Sequence, residues 1–288
     1  MILDSLSVYN YVPSLKTMKS IHVLLFGILT GIWIWSLPIL CVAAFFMMPM
    51  AMLTLFVLVV VGSYLQYTSD GRPIHDHWIR KYVSNIPWYE WFPCNQLTID
   101  SGLIAVHPHG ILCCGTLAGI HFVKGSKTCM CIAPIVFYIP VIGILARYLG
   151  CIPATRLSML TALRKGLPVI VVPGGVPEIV LAETGDDTRR FKRYGFLKIA
   201  RDVRCKLSMV FVRGECSLYR LCRGPFLEWR AWISWRLNIP FVMPIMLGWY
   251  GTWLPKRSKL TLVSSSCSAG HRDCYEEEFE KLVCRATK

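Results

Sequence analysis

The stretch Leu103-Ile104-Ala105-Val106-His107-Pro108-His109-Gly110 is the most informative part of this chain. Its four apolar residues predict a buried strand, and the proline and glycine that follow predict a strand-to-helix turn. Pro108 fits the first turn of a helix, where no N–H is needed, and Gly110 allows close approach of backbone or ligand. Because the chain has only seven histidines, two in one turn indicate a place for proton-transfer chemistry.

Further apolar runs alternate with helix-like segments along the chain. Near-continuous apolar strands that alternate with helices predict an α/β fold with a mostly parallel sheet covered by helices on both faces. The predicted strands are Leu103–Val106, Met130–Ile132, Leu167–Val172 and Leu207–Val212, with Leu260–Val263 as an added edge strand. The predicted helices are Ile111–Phe122, Ser158–Lys165, Pro177–Ala182 and Glu276–Val283.

A long uncharged segment precedes this domain. No Asp, Glu, Lys or Arg occurs from Ser20 to Ser69, and large apolar residues predominate there. Since about 20 apolar residues cross the hydrocarbon core, the segment can form two crossings or a hairpin that enters and returns. A secretory signal peptide fits poorly because its apolar region runs only about 7–15 residues. A long buried helix of a soluble protein is the other alternative.

Basic residues flank the uncharged segment on both sides, at Lys16, Lys19, Arg72, Arg80 and Lys81. Positively charged flanks favour the cytosolic side of a membrane, so both termini are predicted to be cytosolic. The chain then divides into a cytosolic segment (1–19), a membrane-embedded helical hairpin or pair of transmembrane helices (20–69), and a cytosol-facing α/β domain (70–288).

The composition narrows the class of partner. The 288 residues carry a net charge of +14, which favours anionic lipid headgroups or a phosphate-bearing substrate. Zinc-finger spacing, RNP-like motifs and basic helices with heptads are missing from the sequence, so it does not indicate nucleic-acid binding. The thirteen cysteines contain no C-x-x-C pair and are predicted to be reduced thiols. Cys113 and Cys114 remain as candidates for a catalytic cysteine.

A second candidate segment begins where the predicted strand Leu167–Val172 ends. Gly174 and Gly175 follow it, and backbone N–H groups at such a turn can bind an anion or a developing oxyanion. Glu178 comes next in an apolar context. It either complements the dipole of a helix N-terminus or orients a histidine and stabilises its imidazolium.

A basic cluster surrounds Tyr194-Gly195-Phe196. It is either a solvated or membrane-facing surface, or a site that recognises phosphates. Its members are Arg189, Arg190, Lys192, Arg193, Lys198 and Arg201, and Arg156 is a further candidate.

Other motifs are lacking or weak. The sequence has no G-x-S-x-G, no phosphate-binding P-loop and no G-x-G-x-x-G, so these hydrolase and nucleotide sites are not indicated. His75-Asp76-His77 is a weak metal-binding pattern. His107 and His109 could also form half of a metal site in a hydrolase, with His121, His271 or scattered carboxylates as further ligands.

Taken in order, six blocks of this chain resemble the type-2 diacylglycerol acyltransferases and their monoacylglycerol and wax-alcohol relatives. The blocks are Trp91-Phe92-Pro93, the His107–Gly110 tetrapeptide, Ala154–Ser158, Pro173–Glu178, Arg193–Ala200 and Met209–Glu215. With the uncharged segment, the resemblance extends from about Ser20 to about Val263. The chain departs from the family pattern at Trp91, at Arg213, at Ser264-Ser265-Ser266 and in the spacing from His271 to Tyr275. These departures concern the acceptor more than the reaction.

The resemblance implies an acyltransferase-like fold and an enzyme that moves a fatty acyl group from acyl-CoA to a lipid hydroxyl. His109 would be the base, with His107 as alternate or positioning partner, and Glu178 would orient the base. Gly174 and Gly175 would stabilise the oxyanion. A helix N-terminus at the histidines would favour their neutral form. Arg156 and the basic cluster, Arg189, Arg190, Lys192, Arg193, Lys198 and Arg201, would hold CoA phosphates.

The expected acceptor is a neutral lipid, with diacylglycerol giving triacylglycerol first, and monoacylglycerol, a fatty alcohol or a sterol as alternatives. Acyl-CoA is a co-substrate, and no resident cofactor or metal is expected. The expected location is the endoplasmic reticulum membrane or the lipid droplet. The oligomeric state stays open, with a homo-oligomer among the alternatives. A metal-dependent membrane hydrolase and an inactive scaffold are the rival interpretations.

Overall fold

The computed structural model describes residues 42, 53–61, 78–86, 91, 93–99, 101–139, 142–182, 187–188, 192–221, 229, 232–233, 236, 246–252, 254–267 and 271–287. Most of the predicted segments 1–19 and 20–69 therefore lie outside the described residues, and the three-segment division stays a prediction.

The described residues form a six-stranded sheet with the order β3-β2-β4-β1-β5-β8. Its strands are β1 (Leu103–His107), β2 (Cys129–Ile132), β3 (Cys151–Pro153), β4 (Val169–Val171), β5 (Leu207–Arg213) and β8 (Thr261–Cys267). Strands β1 to β5 pair with one another in parallel, and β8 runs antiparallel beside β5. Strands β6 (Arg220–Leu221) and β7 (Met246–Leu247) form a separate antiparallel pair. The mostly parallel sheet of the prediction is confirmed.

Helices cover the sheet on both faces. They are α1 (Trp78–Asn85), α2 (Cys114–Thr116, continued by a π-helical turn over Leu117–His121), α3 (Ile142–Tyr148), α4 (Arg156–Arg164), α5 (Val176–Leu181), α6 (Gly195–Val203) and α7 (Arg272–Thr287). Short 3-10 turns occur at Pro134–Tyr138, Glu215–Ser217 and Trp249–Gly251.

Two apolar clusters lie on opposite sides of the sheet. Ile104 and Val106 belong to one, and Leu103 and Ala105 belong to the other, as the period of two in a strand requires. All four are fully buried because a parallel central strand is covered on both faces. The second cluster also contains residues of α4, α6 and α7, so His107, the next odd-numbered residue of β1, lies on the α7 side.

Most predicted strands and helices are found with shifted ends, and several elements are new. The edge strand predicted over Leu260–Val263 is β8, and the C-terminal helix is longer than predicted. Strand β3 and helices α1, α3 and α6 were not predicted from the sequence. Basic residues dominate the α6 segment, but Phe196, Leu197, Ile199 and Ala200 in it are buried.

One helix start was placed wrongly. Pro108 does not open a helix, because α2 begins only at Cys114. Between strand and helix the backbone passes twice through the left-handed region, at Gly110 (φ 57°) and at Cys113 (φ 51°). His109 therefore lies in a turn rather than at a helix N-terminus.

Part of the uncharged segment is described. Residues 53–61 are helical, and Leu55, Phe56, Leu58 and Val61 there are exposed. In the portion of the chain that the structure describes, no helix has both the length and the apolar character needed to cross a bilayer.

Arg80, counted above among the flanking charges, is buried in α1. Its guanidinium donates to the carbonyl oxygens of His121 (3.1 Å), Ser126 (3.2 Å) and Thr128 (3.4 Å), and also to that of Leu149. The carbonyls of His121 and Leu149 lie at the C-terminal ends of α2 and α3, where carbonyl groups have no partner within the helix. Arg80 therefore joins α1 to the rest of the domain.

Replacing Arg80 with leucine should destabilise the fold because several buried carbonyls lose their donor. We expect a fall of about 5–10 °C in the midpoint of thermal unfolding. The measurement compares Arg80→Leu with Lys81→Leu, which changes an exposed neighbour in the same helix. Equal midpoints for the two variants would show that the carbonyl contacts of Arg80 do not hold the domain together.

Candidate active site

His107 closes β1 and is fixed by α7. Its side chain is buried, and its Nε2 lies 2.7 Å from the hydroxyl of Tyr275. The ring of Phe279 packs edge-on against the imidazole, with 5.2 Å between centroids. His107 is therefore a confined, hydrogen-bonded ring rather than an accessible one.

Glu178, in α5, connects the two histidines of the turn. It is 2% exposed, and its Oε2 accepts the backbone N–H of His109 at 3.0 Å. Its Oε1 lies 3.6 Å from Nδ1 of His107. The carboxylate thus binds the backbone of His109 and faces the ring of His107. The role of Glu178 in orienting the base stays a prediction.

The ring of His109 is half-buried and has one nitrogen engaged. Nδ1 lies 3.1 Å from the carbonyl oxygen of Gly110, which can only accept, so the neutral ring carries its proton on Nδ1. Among the described residues, Nε2 of His109 has no hydrogen-bond partner. This unprotonated nitrogen is the atom with which His109 can take a proton.

The pKa of His109 is lowered, mainly because the ring is removed from water, while the Glu178 carboxylate and the backbone hydrogen bond oppose this shift. Desolvation in the turn thus favours the neutral form, in place of the helix dipole that the sequence analysis invoked. A neutral imidazole at neutral pH is the state that a general base requires.

Cys113 lies beside His109, but its thiol is protonated. Its Sγ donates to the His109 carbonyl at 3.2 Å and lies 3.5 Å from Nδ1. Burial raises the pKa of Cys113 well above its usual value, and the pKa of Cys114 is raised in the same way. Since the thiolate is the nucleophile, this geometry does not favour a catalytic cysteine. All described cysteines are free thiols.

The two glycines predicted to bind an oxyanion shape the turn between β4 and α5. The N–H of Gly175 donates to the Val172 carbonyl at 3.1 Å, so the turn itself uses that donor. A Cβ on Gly174 would stand 1.8 Å from the carboxyl carbon of Glu178. Gly174 is therefore required because the carboxylate lies against its α-carbon. Its predicted role as an oxyanion donor stays a prediction.

The cationic residues predicted to bind CoA phosphates differ in burial and in their charged partners. Arg193 is half-buried, near Gly175, and interacts electrostatically with Glu178, although desolvation is the larger effect and lowers its pKa. Arg156 forms a 2.6 Å ion pair with Asp202.

Of the remaining cations, Lys192 lies 3.5 Å from a carboxylate oxygen of Glu276. Lys198 and Arg201 are exposed on α6. Arg189 and Arg190 lie outside the described residues. The structure thus brings Arg193 close to Gly175 and Glu178 and leaves Arg156, Lys198 and Arg201 at the surface.

Glu215 is a site residue whose role the sequence analysis did not find. Its two carboxylate oxygens accept the N–H groups of Cys114 (2.7 Å) and Gly115 (2.8 Å), which fixes the start of α2 just after the histidine turn. Asp187 in turn accepts the N–H groups of Gly214 and Cys216. Burial raises the pKa of Glu215 to about 7 despite the two N–H donors. The sequence signal for this role was the Gly214-Glu215 pair, which ends the family-like block Met209–Glu215.

The described residues do not support the metal-site interpretations of the histidines. No three side chains of His, Cys, Asp or Glu there lie close enough together to hold a metal ion. His121 is buried and lies 3.0 Å from the hydroxyl of Thr128. His75-Asp76-His77 lies outside the described residues.

Taken together, the edge of the sheet carries a neutral half-buried imidazole beside a buried histidine, a buried carboxylate and a cation. A family model described as diacylglycerol acyltransferase matches residues 44–264, which include all four of these groups, while Tyr275 and Phe279 of α7 lie beyond the match. The chain belongs to the diacylglycerol acyltransferase family.

Individual relatives agree with this membership. Diacylglycerol O-acyltransferase 2-like protein 6 of Mus musculus is 29% identical over 185 residues, which are 57% of this chain and 54% of that protein. The 2-acylglycerol O-acyltransferase 3 of Homo sapiens is 26% identical over 142 residues, or 45% and 42% of the two chains. The matched segments thus span about half the length of these relatives or less.

The bovine protein with the same name as the mouse relative, from Bos taurus, is 23% identical over 254 residues, or 81% of this chain and 70% of that one. Among solved structures, the 1-acyl-sn-glycerophosphate acyltransferase PlsC of Thermotoga maritima is similar with a TM-score of 0.45 and 14% identity, over 93% of this chain and 95% of that one.

Replacing Gly174 with alanine should displace the carboxylate of Glu178 and leave the His109 N–H without its acceptor. We expect amide hydrogen exchange at His109 to rise at least about tenfold. Exchange at Ile104 in β1 serves as the reference for unchanged global stability.

Gly195→Ala is the matched control, since a Cβ there meets nothing within 4 Å. If His109 stays equally protected in both alanine variants, the contact between Glu178 and His109 does not order the turn.

Proposed function

We propose that this protein is a membrane-bound O-acyltransferase that transfers a fatty acyl group from acyl-CoA to the hydroxyl of an acylglycerol, with diacylglycerol as the first acceptor. The observation that carries the proposal is the ring of His109. Its Nδ1 donates to Gly110, its pKa is lowered, and its Nε2 is without a partner among the described residues. Family membership supplies the reaction class.

The proposed step needs no cofactor. The acceptor hydroxyl donates its proton to Nε2 of His109 while its oxygen attacks the thioester carbonyl. The tetrahedral intermediate then collapses to the ester and the CoA thiolate, and the imidazolium returns the proton to that thiolate. A positioned histidine base contributes typically 10²–10⁴-fold to such a reaction. Glu178 stabilises the transient imidazolium, since it is held close to the His109 backbone.

Arg193 is the proposed contact for negative charge. Its half-buried guanidinium lies close to Gly175 and feels the field of Glu178. A guanidinium at this position can bind a CoA phosphate oxygen or the developing oxyanion. Arg156, Lys192 and Lys198 are proposed as outer contacts for the remaining phosphates.

The proposed location is the endoplasmic reticulum membrane or the lipid-droplet surface, with both termini and the α/β domain on the cytosolic side. Exposed apolar side chains over residues 53–61 support contact with lipid. A membrane-embedded N-terminal segment and a positively charged α/β domain would suit an enzyme whose acceptor dissolves in the bilayer while its acyl donor is in water.

A monoacylglycerol is the second candidate acceptor. One relative is named as a 2-acylglycerol O-acyltransferase, and this chain resembles it about as closely as it resembles the diacylglycerol-named relative. Direct comparison of the two acceptors decides between them.

The proposal is tested with membranes from cells that lack neutral-lipid synthesis and express this chain. Labelled oleoyl-CoA is supplied with diacylglycerol, 2-monoacylglycerol or a fatty alcohol in turn. We expect a new ester with an acylglycerol acceptor. His109→Gln should lower its formation at least about 100-fold because the base is gone.

The matched control is His271→Gln, which changes an exposed histidine before α7 and should keep the wild-type rate. Unchanged ester formation in His109→Gln would remove His109 from its proposed role. A wild-type protein that makes no ester, and instead hydrolyses a lipid in a chelator-sensitive manner, would favour the metal-dependent hydrolase.

The pH profile tests the environment of His109. Because its folded pKa is lowered, the acidic limb of kcat/KM should lie below pH 6.5, the usual histidine value. The Glu178 carboxylate raises this pKa, so Glu178→Gln should move the limb to still lower pH. Glu280→Gln, an exposed carboxylate on α7, is the control and should leave the limb in place. A limb that stays fixed or moves upward in Glu178→Gln would contradict the assignment.

A further inference from the structure

The hydrogen bond between Tyr275 and His107 joins two elements that lie far apart in the sequence. Both side chains are buried, and Tyr275 Oη lies 2.7 Å from Nε2 of His107. On the other side of the imidazole, Nδ1 is buried, lacks a hydrogen bond among the described residues and lies 3.6 Å from Oε1 of Glu178. The ring thus stands between a phenol and a carboxylate.

This arrangement selects one tautomer of His107. A phenol is a good donor, and when it donates to Nε2 the proton of the neutral ring lies on Nδ1, which faces the negative carboxylate. The opposite tautomer would direct the Nδ1 lone pair at that carboxylate in a buried place, where such repulsion is strong. The hydroxyl of Tyr275 therefore favours the ring state that attracts Glu178.

The phenol itself is held in place by packing. Phe196 of α6 meets the Tyr275 ring edge-on at 5.2 Å, and Phe279, one turn further along α7, packs on His107. Because Phe196 packs on Tyr275 and Phe279 packs on His107 within the core, the hydroxyl of Tyr275 has little freedom to leave His107.

The same helix contacts the segment that carries Arg193. The hydroxyl of Tyr194 donates to Glu276 at 2.5 Å, and the guanidinium of Arg272 lies 4.3 Å from the centre of the Tyr194 ring. Helix α7 thus contacts both His107 and the neighbour of Arg193, although it lies beyond residues 44–264, which the family model matches.

We propose that Tyr275 is a positioning residue for the proposed acyl transfer. Its hydroxyl holds His107 in the tautomer whose Nδ1–H faces Glu178. The inference rests on the proposed function. Through His107, the hydroxyl of Tyr275 keeps the carboxylate where it binds the backbone of His109. Helix α7 therefore contributes to the active site and does not only pack against the sheet.

The first test is Tyr275→Phe, which removes one hydroxyl and keeps the packing. We expect kcat to fall about tenfold with KM for both substrates unchanged, since Tyr275 is buried and acts through His107. The control is Tyr219→Phe, which removes another buried hydroxyl that contacts the Cys114 thiol rather than a histidine. This control should keep the wild-type kcat.

A double-mutant cycle separates positioning from general packing. If Tyr275 acts through His107, Tyr275→Phe should cost little further activity in a His107→Gln background. Losses that multiply in the double variant would overturn the inference. So would a kcat for Tyr275→Phe within twofold of the wild type while His109→Gln is inactive, a result that leaves the proposed function intact.

A measurement without turnover covers the case in which the proposed function itself fails. Deuterium uptake at the ring C2 of each histidine, followed by mass spectrometry, should rise at His107 in Tyr275→Phe and stay unchanged at His271. Unchanged uptake at His107 would overturn the positioning role whatever reaction the protein catalyses.

Discussion

The buried carboxylate of Glu178 is the interaction on which the site depends. Removing a carboxylate from water is costly unless hydrogen bonds and nearby positive groups compensate for the lost hydration. Here the His109 N–H, the His107 ring and the charge of Arg193 supply that compensation. Gly174 has to lack a side chain because the carboxyl group lies against it. One buried carboxyl group thus contacts the turn, the second histidine and the following loop.

The order of strands brings these groups together. Strands β1, β4 and β5 are parallel neighbours, so their carboxyl ends meet at one edge of the sheet. The end of β1 provides His107 and His109, the end of β4 provides Gly174 and Glu178, and the end of β5 leads to Glu215. Glu215 then binds the first N–H groups of α2 and closes the histidine turn from the other side.

Local patterns in the sequence predicted the elements but not their contacts. Apolar runs and their alternation with helices were enough for the central strands and the parallel sheet. The three-residue strand β3 is too short to give a pattern, and the charges on α6 concealed its buried face. The role of Tyr275 depends on a hydrogen bond that only the folded chain reveals, with a histidine 168 positions away.

The central claim is that Nε2 of His109 is the base for acyl transfer. The most direct measurement is an experimental structure with a hydrolysis-resistant acyl-CoA analogue and an acylglycerol bound. We expect the acceptor hydroxyl about 3 Å from Nε2 of His109 and its oxygen about 3–3.5 Å from the thioester carbonyl carbon. A reacting carbonyl placed beside Cys113, or out of reach of His109 altogether, would contradict it.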